Sequence, residues 1–239
     1  MSNTEAHEAF LNSAAVDAAV FELRPDYRAL LLVIEGLDAT PSNAASDELI
    51  HSAEVHARSL LAEHTVEDLP HVAVWREAYR AFGAKPQRTR NSLEALTRRA
   101  AEGLPRVNAL TDIYNAISVL HQVPVGGEDL ALYAGPARLV RALGDEAFEA
   151  FANGEVVVEH PSAGEVVWRD DSGVTCRRWN WRQGPRTALS DDTTTGFFIF
   201  DALEAMTDDA LRAAGDALVA ALTTINPAVS VSQRLVAAQ

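Results

Sequence analysis

The stretch EVVVEHPSAGEVVWRDDSGVTCRRWNW, Glu155 to Trp181, decides the fold class of this chain. Its β-branched and aromatic runs are separated by the turn sequences PSAG and DSG, a pattern typical of consecutive antiparallel strands. A further apolar run, GFFIFDAL at 196–203, predicts another strand. The second half of the chain therefore predicts a mainly antiparallel sheet.

Upstream of this stretch the apolar residues recur at helical spacing. We expect helices within 1–18 and at 46–63, 66–80, 92–103 and 107–120, one strand within 21–37, and a loop at 82–92 with Asn91 or Ser92 as a cap. The Gly126–Gly127 pair predicts a turn, and a last helix begins after Thr207. The prediction is one α+β domain over 1–239, with helices mainly in the first half and a mainly antiparallel or mixed sheet in the second.

Composition excludes several classes of protein. The chain has 239 residues, 48% of them hydrophobic, and one cysteine, Cys176, so it has neither an internal disulfide nor a cysteine-rich zinc site. We expect that thiol to be packed in the interior. The longest apolar run, ALLLVI at 29–34, is far shorter than the ~20 residues of a membrane helix. We therefore expect a cytoplasmic protein that does not contact the membrane.

Charge is distributed unevenly along the chain. The formal net charge of −14 argues against broad binding of DNA or other nucleic acid, because phosphates would be repelled by most of the surface. Two segments, 76–106 and 169–186, nevertheless hold 13 of the 20 lysine and arginine residues. If the fold brings the two segments together, they form one basic face on an acidic body.

The segment CRRWNWRQG, Cys176 to Gly184, concentrates three arginines and two tryptophans. A continuous strand would place Arg178 and Asn180 on one face and Trp179 and Trp181 on the other. The arginines and indoles could stabilise an exposed strand by stacking. They could equally form a pocket wall that recognises a planar or anionic ligand.

A second polar group lies in LPRVNALTDIYNAISVLHQVPVGGEDL, Leu104 to Leu130. On a helix, Asn108, Asp112 and Asn115 would share one face, either as part of a polar site or as a solvated face with an Asn cap. The sequence GGED that follows adds two carboxylates. The chain has no HExxH, GxSxG, GxxxxGK[ST] or GxGxxG motif, so we expect neither metal nor cofactor.

These two segments together resemble the tRNA-editing module of the bacterial phenylalanyl-tRNA synthetase beta subunit, and more closely the freestanding proteins made of that module. The resemblance covers 75–203 and includes the threonine-rich TTTGFF. It implies hydrolysis of mischarged aminoacyl-tRNA in trans, that is, an aminoacyl-tRNA deacylase. The synthetase module has a histidine where this chain has Gly126, and a threonine where it has Tyr114.

The resemblance also implies roles for individual residues. The catalytic residues would be Asn115 and Asn180. The substrate-binding residues would be Asn108, Asp112, Gly126, Gly127, Glu128, Arg177, Arg178, Trp179, Trp181 and Arg182, with Asp112 or Glu128 holding the substrate amino group. The contacts with the tRNA acceptor stem would be Lys85, Arg88, Arg90, Arg98 and Arg99.

Two other functions fit the same sequence. A non-catalytic module could keep the pocket and bind tRNA ends, an amino acid or a nucleotide, and Gly126 and the acidic net charge favour this alternative. An interaction protein could use the Arg/Trp segment only to stabilise its surface. The sequence indicates neither the amino acid, the tRNA, nor the oligomeric state.

Overall fold

The helices and strands follow the periodicity of the sequence over most of the chain. The structure is a computed structural model and describes residues 2–38, 40–152 and 154–238; the predicted domain also includes Met1, Ala39, Asn153 and Gln239, which lie outside the described residues. Within these ranges the α-helices are α1 (Asn3–Ser13), α2 (Ala18–Leu23), α3 (Ala44–Glu63), α4 (Pro70–Ala81), α5 (Ser92–Glu102), α6 (Ala109–His121) and α7 (Asp208–Ile225). The strands are β1 (Ala15–Val16), β2 (Arg28–Glu35), β3 (Val125–Asp129), β4 (Arg138–Arg141), β5 (Phe148–Ala152), β6 (Glu155–Glu159), β7 (Val166–Arg169), β8 (Val174–Arg177), β9 (Arg182–Gln183), β10 (Thr195–Ala202) and β11 (Ser230–Ala237). The α+β class is confirmed, and six of these helices precede residue 122.

One sheet is antiparallel, with the strand order β11-β2-β10-β3. Its central strands, β2 and β10, are the two long apolar runs, and almost every residue in them is buried because both faces of the sheet are covered. Side chains of α6 and α7 pack on one face. The other face packs against Trp75 and Trp179 and against the second sheet.

The second sheet has the order β1-β4-β7-β8-β9, parallel only between β1 and β4. The predicted succession of β7 and β8 is confirmed. The strand at 155–159 does not join them, because β6 pairs with β5 in a separate hairpin. Leu139, Trp168 and Cys176 point from this sheet into the core shared with β2 and β10.

Local signals placed several boundaries correctly. Asn91 caps α5 and Thr207 caps α7, each by accepting a backbone N–H with its side chain. The predicted turn at Gly126–Gly127 is wrong, because both glycines lie in β3 at the edge of the first sheet. The helix predicted within 1–18 ends at Ser13 and is followed by the short β1, and α2 takes the first residues of the range predicted as a strand, which begins only at Arg28. The sequence patterns did not indicate β11.

The lengths and hydropathy of the helices show whether any of them could cross a membrane. In the described ranges no helix is both long enough and apolar enough to span a bilayer.

Candidate functional site

A small cavity lies where the two sheets meet the turn between β8 and β9. Its volume is ≈ 90 Å³. The predicted site residues that line it are Gly126, Glu128, Trp179, Asn180, Trp181 and Arg182. Further wall residues, which were not among the predicted site residues, are Ser92, Val125, Trp168, Cys176, Gln183, Ile199 and Asp201. The cavity therefore unites the GGED segment with the Arg/Trp segment.

The Arg/Trp segment is not a continuous strand, so the predicted alternation of faces is wrong. Arg178 and Trp179 have φ values of 48° and 67°, in the left-handed region that non-glycine residues seldom adopt. Two features hold the turn: the Trp179 side chain is fully buried in the core, and its backbone N–H donates to the Val166 carbonyl at 2.6 Å. Unfavourable backbone geometry of this kind costs about 1–3 kcal/mol per residue and is common at functional sites.

Asn180 belongs to a buried chain of hydrogen bonds that ends at Asp201. The Tyr79 hydroxyl donates to Asn180 Oδ1 at 2.9 Å, and Asn180 Nδ2 donates to Asp201 Oδ2 at 3.2 Å. The Tyr27 hydroxyl donates to the other Asp201 oxygen at 2.6 Å. Burial raises the pKa of the Asp201 carboxyl to about 7, so this group can exchange a proton near neutral pH.

Glu128 is the second carboxyl of the cavity. It accepts hydrogen bonds from the Tyr133 hydroxyl and, at 2.6 Å, from Thr187 Oγ1. Burial raises its pKa above the ordinary range for glutamate, although these hydrogen bonds favour the charged form. Its neighbour Gly127 accepts from Gln183 Nε2 at 3.2 Å, which ties β3 to β9.

The arginines of the turn are paired with carboxylates. Arg177 makes two 2.9 Å hydrogen bonds to Glu165 and a 2.8 Å bond to Glu159, which also accepts from Arg182 at 2.9 Å. Arg178 bonds the Thr89 hydroxyl, and its guanidinium lies 4.3 Å from the centre of the Trp181 ring. Of the three, only Arg182 lines the cavity.

A wider groove of ≈ 860 Å³ adjoins the cavity at Trp181, which lines both. Arginines from the first basic segment line this groove: Arg88, Arg90, Arg98 and Arg99. Lys85 lies next to them and, with Arg88, faces Arg178 across a pocket of ≈ 270 Å³. The fold thus brings Lys85 and Arg88 of the first basic segment next to Arg178 of the second.

These cations differ in their partners. Arg90 and Arg98 contact the buried carboxylate of Glu94, at 3.5 Å and 3.2 Å. In the described part of the chain, neither Arg88 nor Arg99 has a carboxylate within 4.0 Å. Arg88 and Arg99 are therefore the groove cations most open to an external anion.

The polar face of α6 lies elsewhere. Asn108 is the N-cap of α6 and accepts from the Thr111 backbone N–H at 2.8 Å, as one of the two sequence interpretations had it. Asp112 is fully buried, accepts the Val107 N–H at 2.9 Å and also bonds Ser42. Neither these two residues nor the half-buried Asn115 lines the cavity or the groove. The structure thus separates α6 from the residues it was predicted to join.

Three buried polar atoms in the cavity wall lack a hydrogen-bond partner among the described residues: Ser92 Oγ, Trp168 Nε1 and Trp179 Nε1. Such atoms are rare in folded proteins. Trp168 Nε1 lies near the Asp201 carboxyl and Trp179 Nε1 near the Tyr27 hydroxyl, without well-formed hydrogen bonds. Over the described ranges, no three His, Cys, Asp or Glu side chains are grouped closely enough to bind a metal ion. The cavity therefore offers carboxyl groups and hydrogen-bond donors to an organic ligand.

Comparison with known proteins places the chain in a family. Among solved structures, it is similar to an N-terminal fragment of the phenylalanyl-tRNA synthetase beta-subunit from Pyrococcus horikoshii, with 12% identity and a TM-score of 0.46. That match covers 93% of this chain and 53% of the fragment, so the chain spans about half of the fragment's length. No curated protein sequence matches the chain. Residues 74–220 match the B3/4 domain family, and this range contains every residue of the cavity wall and the four groove arginines. The chain therefore belongs to the B3/4 domain family.

Proposed function

We propose that the protein binds the acceptor end of mischarged aminoacyl-tRNA and hydrolyses the aminoacyl ester in trans. The observation that carries this proposal is the meeting of an arginine-lined groove and a polar cavity at one residue, Trp181. A single-stranded RNA end has the matching chemistry, because its phosphates suit the groove and its terminal ester suits the cavity.

The groove supplies the RNA contacts. Arg88 and Arg99 are free to neutralise phosphates, and a terminal base would stack on the Trp181 indole beside or in place of the Arg178 guanidinium, which lies 4.3 Å from the ring centre. The net charge of −14 repels RNA from the rest of the surface. Binding is thus confined to the groove and remains weak enough for rapid release.

The cavity supplies the chemistry of hydrolysis. Water attacks the ester carbonyl, the bond to the ribose oxygen breaks, and the ribose hydroxyl leaves with a proton. Asn180 keeps one side-chain N–H beyond its bond to Asp201, and we assign that N–H to orient the ester or the water. Positioning and fixed dipoles can supply much of the rate for an ester. Asn115 has no part in this assignment.

The sequence supports the same substrate. The resemblance to the synthetase editing module rests on 104–130 and 174–184, and the B3/4 match spans both segments.

The test is release of amino acid from a panel of mischarged tRNAs under single-turnover conditions. We expect hydrolysis of at least one member by the wild-type protein. The double variant Arg88→Ala/Arg99→Ala should bind tRNA more weakly and reduce the salt slope of log K by about 1.4–1.8, at roughly 0.7–0.9 per phosphate contact. Arg212→Ala, which removes an exposed arginine of α7, is the matched control.

Two results would contradict the proposal. Absence of hydrolysis across the whole panel, at protein in excess over tRNA, would eliminate the deacylase activity. Equal tRNA affinity and equal salt slope in the double variant and the control would eliminate the groove as the RNA site.

A specific observation favours the alternative of a non-catalytic binding module. Asn180 Oδ1 and one of its N–H groups are engaged inside the protein, and Asn115 lies outside the cavity, so neither predicted catalytic residue presents a fully free amide to the cavity. Binding of uncharged and charged tRNA with equal affinity, without turnover, would select this alternative.

A further inference from the structure

The cavity wall contains two buried carboxyl groups without a basic partner. Asp201 is 3% exposed and Glu128 is 1% exposed, and neither forms an ion pair within the described ranges. Arg182, the cation of the wall, directs Nη2 to Glu159 instead. Buried carboxylates are costly unless a cation or several hydrogen bonds compensate them. Asp201 and Glu128 accept hydrogen bonds from hydroxyl and amide groups alone, so a ligand that brings a positive charge would stabilise their ionised forms further.

The same wall contains hydrogen-bond donors without a well-placed acceptor. The indoles of Trp168 and Trp179 are 1% and 0% exposed, and their N–H groups make no well-formed hydrogen bond among the described residues. The N–H of Trp168 lies near the Asp201 carboxyl and that of Trp179 near the Tyr27 hydroxyl. An indole nitrogen can only donate, so each group is available to an acceptor on the ligand, such as a carbonyl oxygen. A suitable ligand therefore carries an ammonium group and a carbonyl group close together.

We propose that the cavity recognises the α-aminoacyl group by its ammonium, with Asp201 as the principal counter-charge and the Trp168 and Trp179 N–H groups as donors to the carbonyl. This inference rests on the proposed function and names what that site selects. It replaces Asp112, which lies outside the cavity, as a holder of the substrate amino group.

A consequence is discrimination between the ester and the free amino acid. The aminoacyl ester is a cation, whereas the hydrolysed amino acid also carries a carboxylate, which Asp201 and Glu128 repel. The same two carboxyl groups that attract the substrate thus promote release of the product. The cavity, at ≈ 90 Å³, is well below the ~300–1,000 Å³ of pockets for drug-sized ligands, so it suits small side chains such as alanine.

Binding of an ammonium group must also release a proton. The groups around Asp201 are the Tyr27 hydroxyl, the Asn180 amide, the Trp168 indole, the Tyr79 hydroxyl, the Cys176 thiol, and Glu128 and Arg182 of the wall. Burial raises the pKa of Asp201 to about 7, and a bound cation would lower it again. At pH 7 about half of the free protein carries the Asp201 proton, and formation of the ion pair expels it.

Calorimetry with alaninamide tests the inference, because this probe has the ammonium and a neutral carbonyl. We expect binding to the wild-type protein with a net release of protons that increases from pH 8 to pH 6, because a larger fraction of Asp201 is protonated, and a smaller fraction of the probe is neutral, at lower pH. The count comes from titrations in buffers of different ionisation enthalpy. Alanine and N-acetylalaninamide should bind roughly 10- to 100-fold more weakly.

Asp201→Asn should reduce the affinity for alaninamide by a similar factor and abolish proton release, whereas Asp191→Asn, which removes an exposed carboxylate, should change neither. If Asp201→Asn does not fold, the probe series and proton count on the wild-type protein still decide. Equal binding of all three probes, or binding without proton release at any pH from 6 to 8, would overturn the inference. Binding of alaninamide without deacylation of tRNA would support the inference and refute the proposed hydrolysis. Deacylation of tRNA by a protein that does not bind alaninamide would refute the inference and leave the proposed hydrolysis intact.

Discussion

Replacement of Asp201 by asparagine should destabilise the protein at acidic pH and stabilise it at alkaline pH. In the folded protein burial raises the pKa of Asp201 to about 7, whereas its ordinary value is 3.8. Between pH 4 and pH 7, Asp201 is therefore protonated in the folded state and ionised in the unfolded state. The stabilisation is complete below pH 3.8 and disappears as the pH rises through 7.

The magnitude follows from the shift of about three pKa units, at 1.36 kcal/mol each. The wild-type protein should lose about 4 kcal/mol relative to Asp201→Asn between pH 4 and pH 8. The variant costs about 1 kcal/mol at low pH, because the Asn180 N–H loses its acceptor. The variant is thus the less stable protein near pH 4 and the more stable one near pH 8.

The assay is urea unfolding of both proteins at half-unit steps from pH 4 to pH 8, with the difference in free energy plotted against pH. The difference removes the contribution of every other titrating group. A flat difference profile, or one in which the wild-type protein gains stability with pH, would refute the assignment of Asp201 as a buried carboxyl with a raised pKa.

Other perturbations follow from buried groups of the same kind. His71 accepts hydrogen bonds at Nε2 from Trp75 and a backbone N–H, and burial lowers its pKa to about 4. Acidification from pH 6.5 to pH 4 should therefore destabilise the wild-type protein by about 3 kcal/mol relative to His71→Gln. Urea unfolding of both proteins as a function of pH measures this difference. In the wild-type protein the buried guanidinium of Arg76 donates to Glu94 at 2.8 Å. Glu94→Gln removes this counter-charge and should lower the free energy of unfolding by about 3–5 kcal/mol. The control Glu67→Gln breaks an exposed pair and should cost less than about 1 kcal/mol; equal losses would contradict the burial argument. Gly127→Ala would place a Cβ 2.7 Å from a phenylalanine ring of β10 and should lower the melting temperature, at a cost of about 1–3 kcal/mol.

Sequence patterns predicted those parts of the fold that local chemistry determines. The buried runs of β2 and β10 are apolar along their whole length, and Thr207 followed by two acids marks the start of α7. By contrast, β6 has the pattern of a strand but nothing in its sequence specifies β5 as its partner. Pairing between strands depends on the rest of the fold, which periodicity does not record.

The candidate site was predictable in its residue types and not in its geometry. The turn at Arg178 and Trp179 contains no glycine or proline that would have indicated it in the sequence. It depends instead on packing of the Trp179 ring against Tyr27 and Trp75. Asp201 reads as the last polar residue of an apolar strand. Its significance comes from Tyr27 and Asn180, which are 174 and 21 residues away along the chain.

If RNA binds in the groove and an aminoacyl group in the cavity, the shared wall at Trp181 would couple the two binding equilibria. The indole is a wall of both spaces and stacks against the Arg178 guanidinium, so a group that displaces the ring on one side changes the shape of the other. By linkage, any factor by which RNA in the groove alters affinity for an aminoacyl group must equal the factor by which that group alters affinity for RNA. Charged and uncharged RNA ends would then differ in residence time without any difference in the phosphates they present.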